Sequence, residues 1–135
     1  MPNALYDSGR QKFLEGSIPW LTGTIKAVLV DSGQYTLSLS THSSLADIPV
    51  GARISTTAAF TNKTSVAGVA DADDVTFPGV TGVTSEYIIP YLDSGTATTS
   101  WLICIYDTAT GLPVTPSGGD IIVQWSNGPD RIFKL

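Results

Sequence analysis

The sequence predicts a mainly β fold, an antiparallel β-sandwich or barrel-like domain with a short N-terminal helix. Three observations lead there. Short runs of β-branched and aromatic residues recur about every ten residues, the spacing of small all-β domains. Clusters of Gly, Pro, Asn and Asp separate these runs and supply the backbone angles of tight turns. Charged residues make up only 14% of the chain, against roughly 25% in an ordinary globular protein. The 17 Thr and 14 Ser therefore carry much of the polar surface, and Thr suits exposed strand positions. At 135 residues the chain has the size of one domain and can bury roughly two-thirds of its unfolded surface. We divide it into a helical arm over residues 1–20 and a β core with a C-terminal tail over residues 21–135.

The first element is a helix over roughly Ala4 to Leu14, with Asn3 as its cap and Gly16 as its stop. Tyr6, Phe13 and Leu14 share one face, and Asp7, Arg10 and Lys12 keep the rest wet. Gly9 costs such a helix about 1 kcal/mol relative to Ala, so it must pack on the first strand or on a neighbouring subunit. Ser17-Ile18-Pro19-Trp20 ends it, because a residue before proline avoids helical angles. Thr24 to Asp31 is a strand with Ile25, Ala27 and Leu29 on one face and Lys26, Val28 and Val30 on the other. Tyr35, Leu37 and Leu39 alternate with polar residues in a strand-like pattern, and Leu45 to Ile48 forms a helical turn before Pro49.

Further strands are expected over Ala52 to Asn62, Thr64 to Val69, Val75 to Phe77 and Glu86 to Leu92. Pro90 inside the last of these calls for an edge strand or a bulge. Trp101 to Tyr106 is apolar throughout, as a strand covered on both faces would be, and Ile121 to Trp125 has the alternation of a half-buried one. With a reversing loop between them, the two are expected to pair antiparallel. Asn127-Gly128-Pro129 turns the chain into a last short strand or tail, Arg131 to Leu135.

Composition narrows function. The formal charge is −5 and the seven basic residues are scattered, whereas a phosphate-binding surface needs clustered Lys and Arg; nucleic acid is not an expected partner. The longest apolar run, Trp101 to Tyr106, is far short of the ~20 residues that span a bilayer, so no membrane is expected. Met1 to Ala4 lacks the charged and apolar regions of a secretion signal, which predicts synthesis in a cytoplasm. Asn62-Lys63-Thr64 is then a chance match to a glycosylation sequon.

Chemistry-bearing residues are sparse. His42 is the single histidine, and its neighbours Ser43 and Ser44 lack the G-x-S-x-G setting of an activated serine. Cys104 is the single cysteine and sits mid-strand, so it reads as an inert buried side chain. One His and one Cys cannot assemble an ordinary zinc site. Asp71, Asp73 and Asp74 have the spacing of calcium ligands but lack the Gly and closing Glu of an EF-hand, so a solvated turn is the simpler reading. No phosphate-cradling glycine loop is present, and no cofactor is expected. Of three tryptophans, Trp101 and Trp125 lie in strand register with Ile and Val and read as core, while Trp20, between Pro19 and Gly23, reads as a contact residue that could stack on a sugar.

Several segments together resemble small structural proteins of tailed bacteriophages and prophages. They are Tyr6-Asp7-Ser8-Gly9-Arg10 with Phe13-Leu14, Thr24 to Asp31, Asp47 to Arg53, Gly68 to Phe77, Asp107 to Pro116, Gly118-Gly119-Asp120-Ile121 and Ile132-Phe133-Lys134-Leu135. The resemblance runs nearly end to end. It implies a non-enzymatic virion component made in the host bacterial cytoplasm, of the capsid decoration or cement kind. The implied partners are the phage major capsid protein and further copies of the chain, often as a homotrimer. It supplies no catalytic residues. A neck or tail component, or a carbohydrate-binding module on the virion, is the alternative. Two apolar ends offer themselves as arms that clasp neighbours: Tyr6, Phe13 and Trp20 at the N-terminal side, and Ile132, Phe133 and Leu135 at the other. Packing on their own domain is the competing role for both.

Overall fold

The computed structural model describes residues 4–135. The chain runs β1 (Ala4–Leu5), α1 (Asp7–Leu14), β2 (Ile25–Val30), β3 (Arg53–Thr56), β4 (Thr64–Val66), β5 (Val69–Asp71), β6 (Val75–Phe77), β7 (Tyr87–Leu92), β8 (Cys104–Ile105), β9 (Ile121–Val123) and β10 (Phe133–Lys134), with single 3-10 turns at Leu45–Asp47, Val50–Ala52 and Ala97–Thr99. All strand pairings are antiparallel. The fold is β-rich with one α-helix, as the sequence predicts.

β2 is the centre of the molecule. It pairs with β3 on one side and along its whole length with β7 on the other, from Ile25 opposite Leu92 to Val30 opposite Tyr87. Beyond β7 the Trp101–Tyr106 segment extends the same layer through bridges at Ile88–Tyr106 and Tyr91–Leu102. Its far side takes β1 through Leu5–Cys104 and Ala4–Ile105, and Ser44 through Trp101. Between the two bridges, three steps along β7 face four along the other segment, which is a one-residue bulge. Pro90 sits there without an N–H to donate, and its carbonyl accepts the Ile103 amide at 3.0 Å. The sequence expectation of a bulge at Pro90 is met.

The alternation read in β2 is also met. Ile25, Ala27 and Leu29 enter one buried cluster with Phe60, Phe77 and Trp125, and Val28 and Val30 enter a second with Tyr6, Tyr35 and Ile48. The first face is closed by two small sheets, β10-β5-β4 and β6-β9. The second is closed by the long connection between β2 and β3. That explains the missing strand at Tyr35–Leu39: Tyr35 is buried and Leu37 and Leu39 pack on the cluster, but the segment has no ladder partner. Its period-2 pattern records burial of alternate side chains, which does not require pairing.

Five other expectations are corrected. The strand expected over Ala52 to Asn62 is confined to Arg53–Thr56. The helix begins at Asp7, because Ala4 and Leu5 pair with β8 and the Tyr6 amide donates to the Ile103 carbonyl; the expected cap Asn3 lies outside the described residues. The helix packs at Gly9 on the Trp101–Tyr106 segment rather than on the first long strand: a Cβ there would lie 2.8 Å from the Leu102 carbonyl oxygen and 2.9 Å from that of Ile103. Thr64–Val69 is a hairpin, since Ala67 and Gly68 turn with φ of 51° and 79° and set Val66 opposite Val69. Finally, the Trp101–Tyr106 and Ile121–Trp125 runs do not pair. The first belongs beside β7, and the second pairs with β6, Val123 opposite Val75 and Ile121 opposite Phe77. A loop long enough to reverse the chain is also long enough to carry it to the other layer.

Candidate interaction surface

The two apolar ends fold into their own domain. Tyr6 and Ile132 are fully buried, Phe133 is 2% exposed and Trp20 7%. Phe13 is half-buried with its ring 5.4 Å from that of Phe133, and Trp20 stands edge-on to Phe133 at 5.2 Å and to Phe60 at 6.2 Å. The Trp20 indole N–H donates to the Thr64 carbonyl at 3.0 Å. Such aromatic pairs add about 0.5–1.5 kcal/mol each beyond the area they bury. N-terminal and C-terminal segments therefore clasp each other. As contact residues for a partner, Tyr6, Trp20, Ile132 and Phe133 are corrected to core, and Trp20 presents no face on which a sugar could stack; Leu135 alone of the six is exposed, at 57%. Trp101 and Trp125 pack as core, as the sequence predicts: Trp101 is half-buried against the main cluster with the Lys12 ammonium 4.3 Å above its ring, and Trp125 is buried against Phe60 and Tyr106.

The polar groups singled out by sequence are committed to the fold. The His42 Nδ1 is 2.8 Å from the Tyr35 hydroxyl, which is 2.9 Å from the Tyr6 hydroxyl, so the histidine closes a buried chain of polar groups. Burial raises the hydroxyl pKa of Tyr6 and of Tyr35 above the ordinary value, so both stay protonated. Asp47 accepts the Ser43 and Ser44 amides; burial pulls its carboxyl upward, but these two bonds outweigh it and hold it below the ordinary value. Asp73 accepts from Thr61 and Asn62, and Asp74 from the Trp125 amide. Asp73 and Asp74 thus tie three segments together, and among the described residues no group of three or more His, Cys, Asp or Glu side chains could hold a metal ion. Cys104 is fully buried, and burial pushes its thiol well above the ordinary range.

One surface feature remains that side-chain types did not single out. A groove of about 440 Å³ opens between the loop from Thr108 to Leu112 and the segment from Ile121 to Ser126, which begins with β9. Its floor is Tyr106 and Trp125, whose polar atoms point away: the Tyr106 hydroxyl donates to the Ile132 carbonyl and the Trp125 indole N–H to the Asp73 carbonyl. Its walls are aliphatic, with Leu112 and Val114 facing Ile121 and Val123, and Thr108, Thr110 and Gln124 on the rim. No Asp, Glu, His, Lys, Arg or Cys lines it. The signal in the sequence is a gap in charge, since Asp120 is the one charged residue between Thr108 and Ser126. Elsewhere, exposed large apolar side chains include Leu14, Val50 and Val66.

The chain matches no protein-family model and no curated protein. Among the described residues no helix is long and apolar enough to cross a membrane.

Proposed function

We propose that the chain is a non-enzymatic bacteriophage virion protein, a capsid decoration or cement protein that binds across junctions between major capsid proteins and stabilises the shell. The resemblance of its segments to phage structural proteins supplies the particle. The observation that supports the non-catalytic half is the groove: its hydroxyls, from Thr108, Thr110 and Ser126 among others, have no Asp, Glu, His, Lys, Arg or Cys in the lining to activate them. The chain's other polar side chains hold segments of the fold together, as His42, Asp73 and Asp74 do. A low-charge, hydroxyl-rich β domain suits a protein whose work is to cover area on a shell.

Particles assembled with and without the protein test this. A decoration role expects the protein in fixed high copy number on tailless heads, and a lower rupture temperature when it is left out. Equal rupture temperatures, or density for the protein in the tail or neck alone, would refute cementing.

A further inference from the structure

β9 is hydrogen-bonded along one side only. β6 takes that side, and no strand or bridge pairs with the other among the described residues. The direction of the open side follows from alternation. Residues of an antiparallel strand turn their amides alternately toward the partner and away from it. The Trp125 amide donates back to Asp74, beside β6, at 2.9 Å, so the amides of Ile121 and Val123 face β6 and those of Ile122 and Gln124 face outward. The groove described above is lined by the same residues, Ile121 to Gln124. An unpaired edge, flanked by apolar walls, takes an extended backbone whose side chains are uncharged.

We infer that the occupant is β9 of a second copy, paired antiparallel about a two-fold axis to join the two β6-β9 sheets into one of four strands. Two observations select a copy of the same chain. An antiparallel edge is its own complement, so a two-fold satisfies the outward amides and carbonyls of both copies with one contact. Charge selects the place: the chain carries a formal −5, which opposes close approach of two copies in general, yet the segment from Thr108 to Ser126 holds only Asp120, whose carboxylate is taken up by the Gly79 amide at 2.8 Å. The edge also lacks the lysine or proline that ordinarily protects an open strand. Ile122, 67% exposed, becomes covered at the joint. This deepens the proposed function by naming a self-contact and rests on the chain working in multiple copies; its test uses the isolated protein without any particle, so either reading can fail alone.

Sedimentation velocity of the full chain from micromolar to millimolar concentration is expected to show the mass rising from one chain to two. Ile122→Lys alters a solvent-exposed side chain, and Gln124→Pro removes an outward amide; each is expected to weaken association at least tenfold, while Val66→Lys, on the exposed edge strand β4, leaves it unchanged. In the wild type, the Ile122 and Gln124 amides should exchange with deuterium more slowly as concentration rises, a readout that needs no variant. A single-chain mass throughout, a mass other than two chains, association unaffected by Ile122→Lys, or exchange at Ile122 independent of concentration would each overturn the inference.

Discussion

β2 and β9 are built from the same kind of residue, Ile-Lys-Ala-Val-Leu-Val against Ile-Ile-Val, and meet opposite fates. β2 has a strand on each side and a packed cluster on each face, and every residue but Lys26 is buried. β9 has one neighbour, one half-covered face and an exposed Ile122. Apolar content alone therefore does not decide whether a strand is interior. What decides it is how many other segments return to it: β3, β7 and the 31–52 connection return to β2, whereas among the described residues only β6 pairs with β9. The region where the chain stops covering itself is the region left for a partner.

That contrast can be broken by experiment, beginning with the β2 side. Phe133→Ala or Trp20→Ala removes a ring from the cluster beneath β2 and should cost about 3–5 kcal/mol, read as a fall in the urea midpoint; a surface role for either residue would leave the midpoint in place. Gly9→Ala pushes a Cβ onto the Leu102 and Ile103 carbonyls, backbone that cannot swing aside, and should cost about 1–3 kcal/mol by overpacking, although Ala favours an isolated helix. Tyr35→Phe leaves the fully buried Tyr6 hydroxyl without its partner, and should cost about 1–3 kcal/mol; an unchanged melting temperature would show that the hydroxyl chain carries no stability.

Acid gives a smaller, graded effect. The Lys26 ammonium, 2.8 Å away, and then the Gly95 amide hold the Asp93 carboxyl below its ordinary 3.8, and Asp47 is lowered as well. Both groups bind a proton more readily in the unfolded chain, so their contribution is complete above the ordinary value and disappears as pH falls through the lower folded-state values. Asp93→Asn should flatten this acid limb of the stability curve and leave stability near pH 7 less dependent on Lys26. On the β9 side, Ile122→Lys should change stability by no more than about 0.5 kcal/mol, as surface substitutions do. A large loss there would mean that β9 is interior after all.

The legible parts of the fold were those set by local pattern. The two faces of β2, the turn at Leu45–Asp47, the bulge at Pro90 and the stop at Gly16 each follow from the spacing of a few residues or from one residue's backbone limits. The misread parts depended on distance along the chain. Phe133 and Trp20 look like free ends in sequence, and only their meeting across the domain makes them core. The groove that β9 lines holds no Asp, Glu, His, Lys, Arg or Cys, and its one local mark in the sequence is the gap in charge around Asp120.

By itself the sequence determined that this is a β-rich domain, low in charge, with one histidine and one cysteine. Periodicity and turn chemistry act over a few residues, and those the chain states outright. Tertiary structure alone decided which strands pair, that the two ends lock onto each other, and that β9 is left with an open side. The reason is physical: pairing and burial are settled by the free energy of the whole chain, summed over segments far apart in sequence, and the local pattern of an apolar strand does not label its partner.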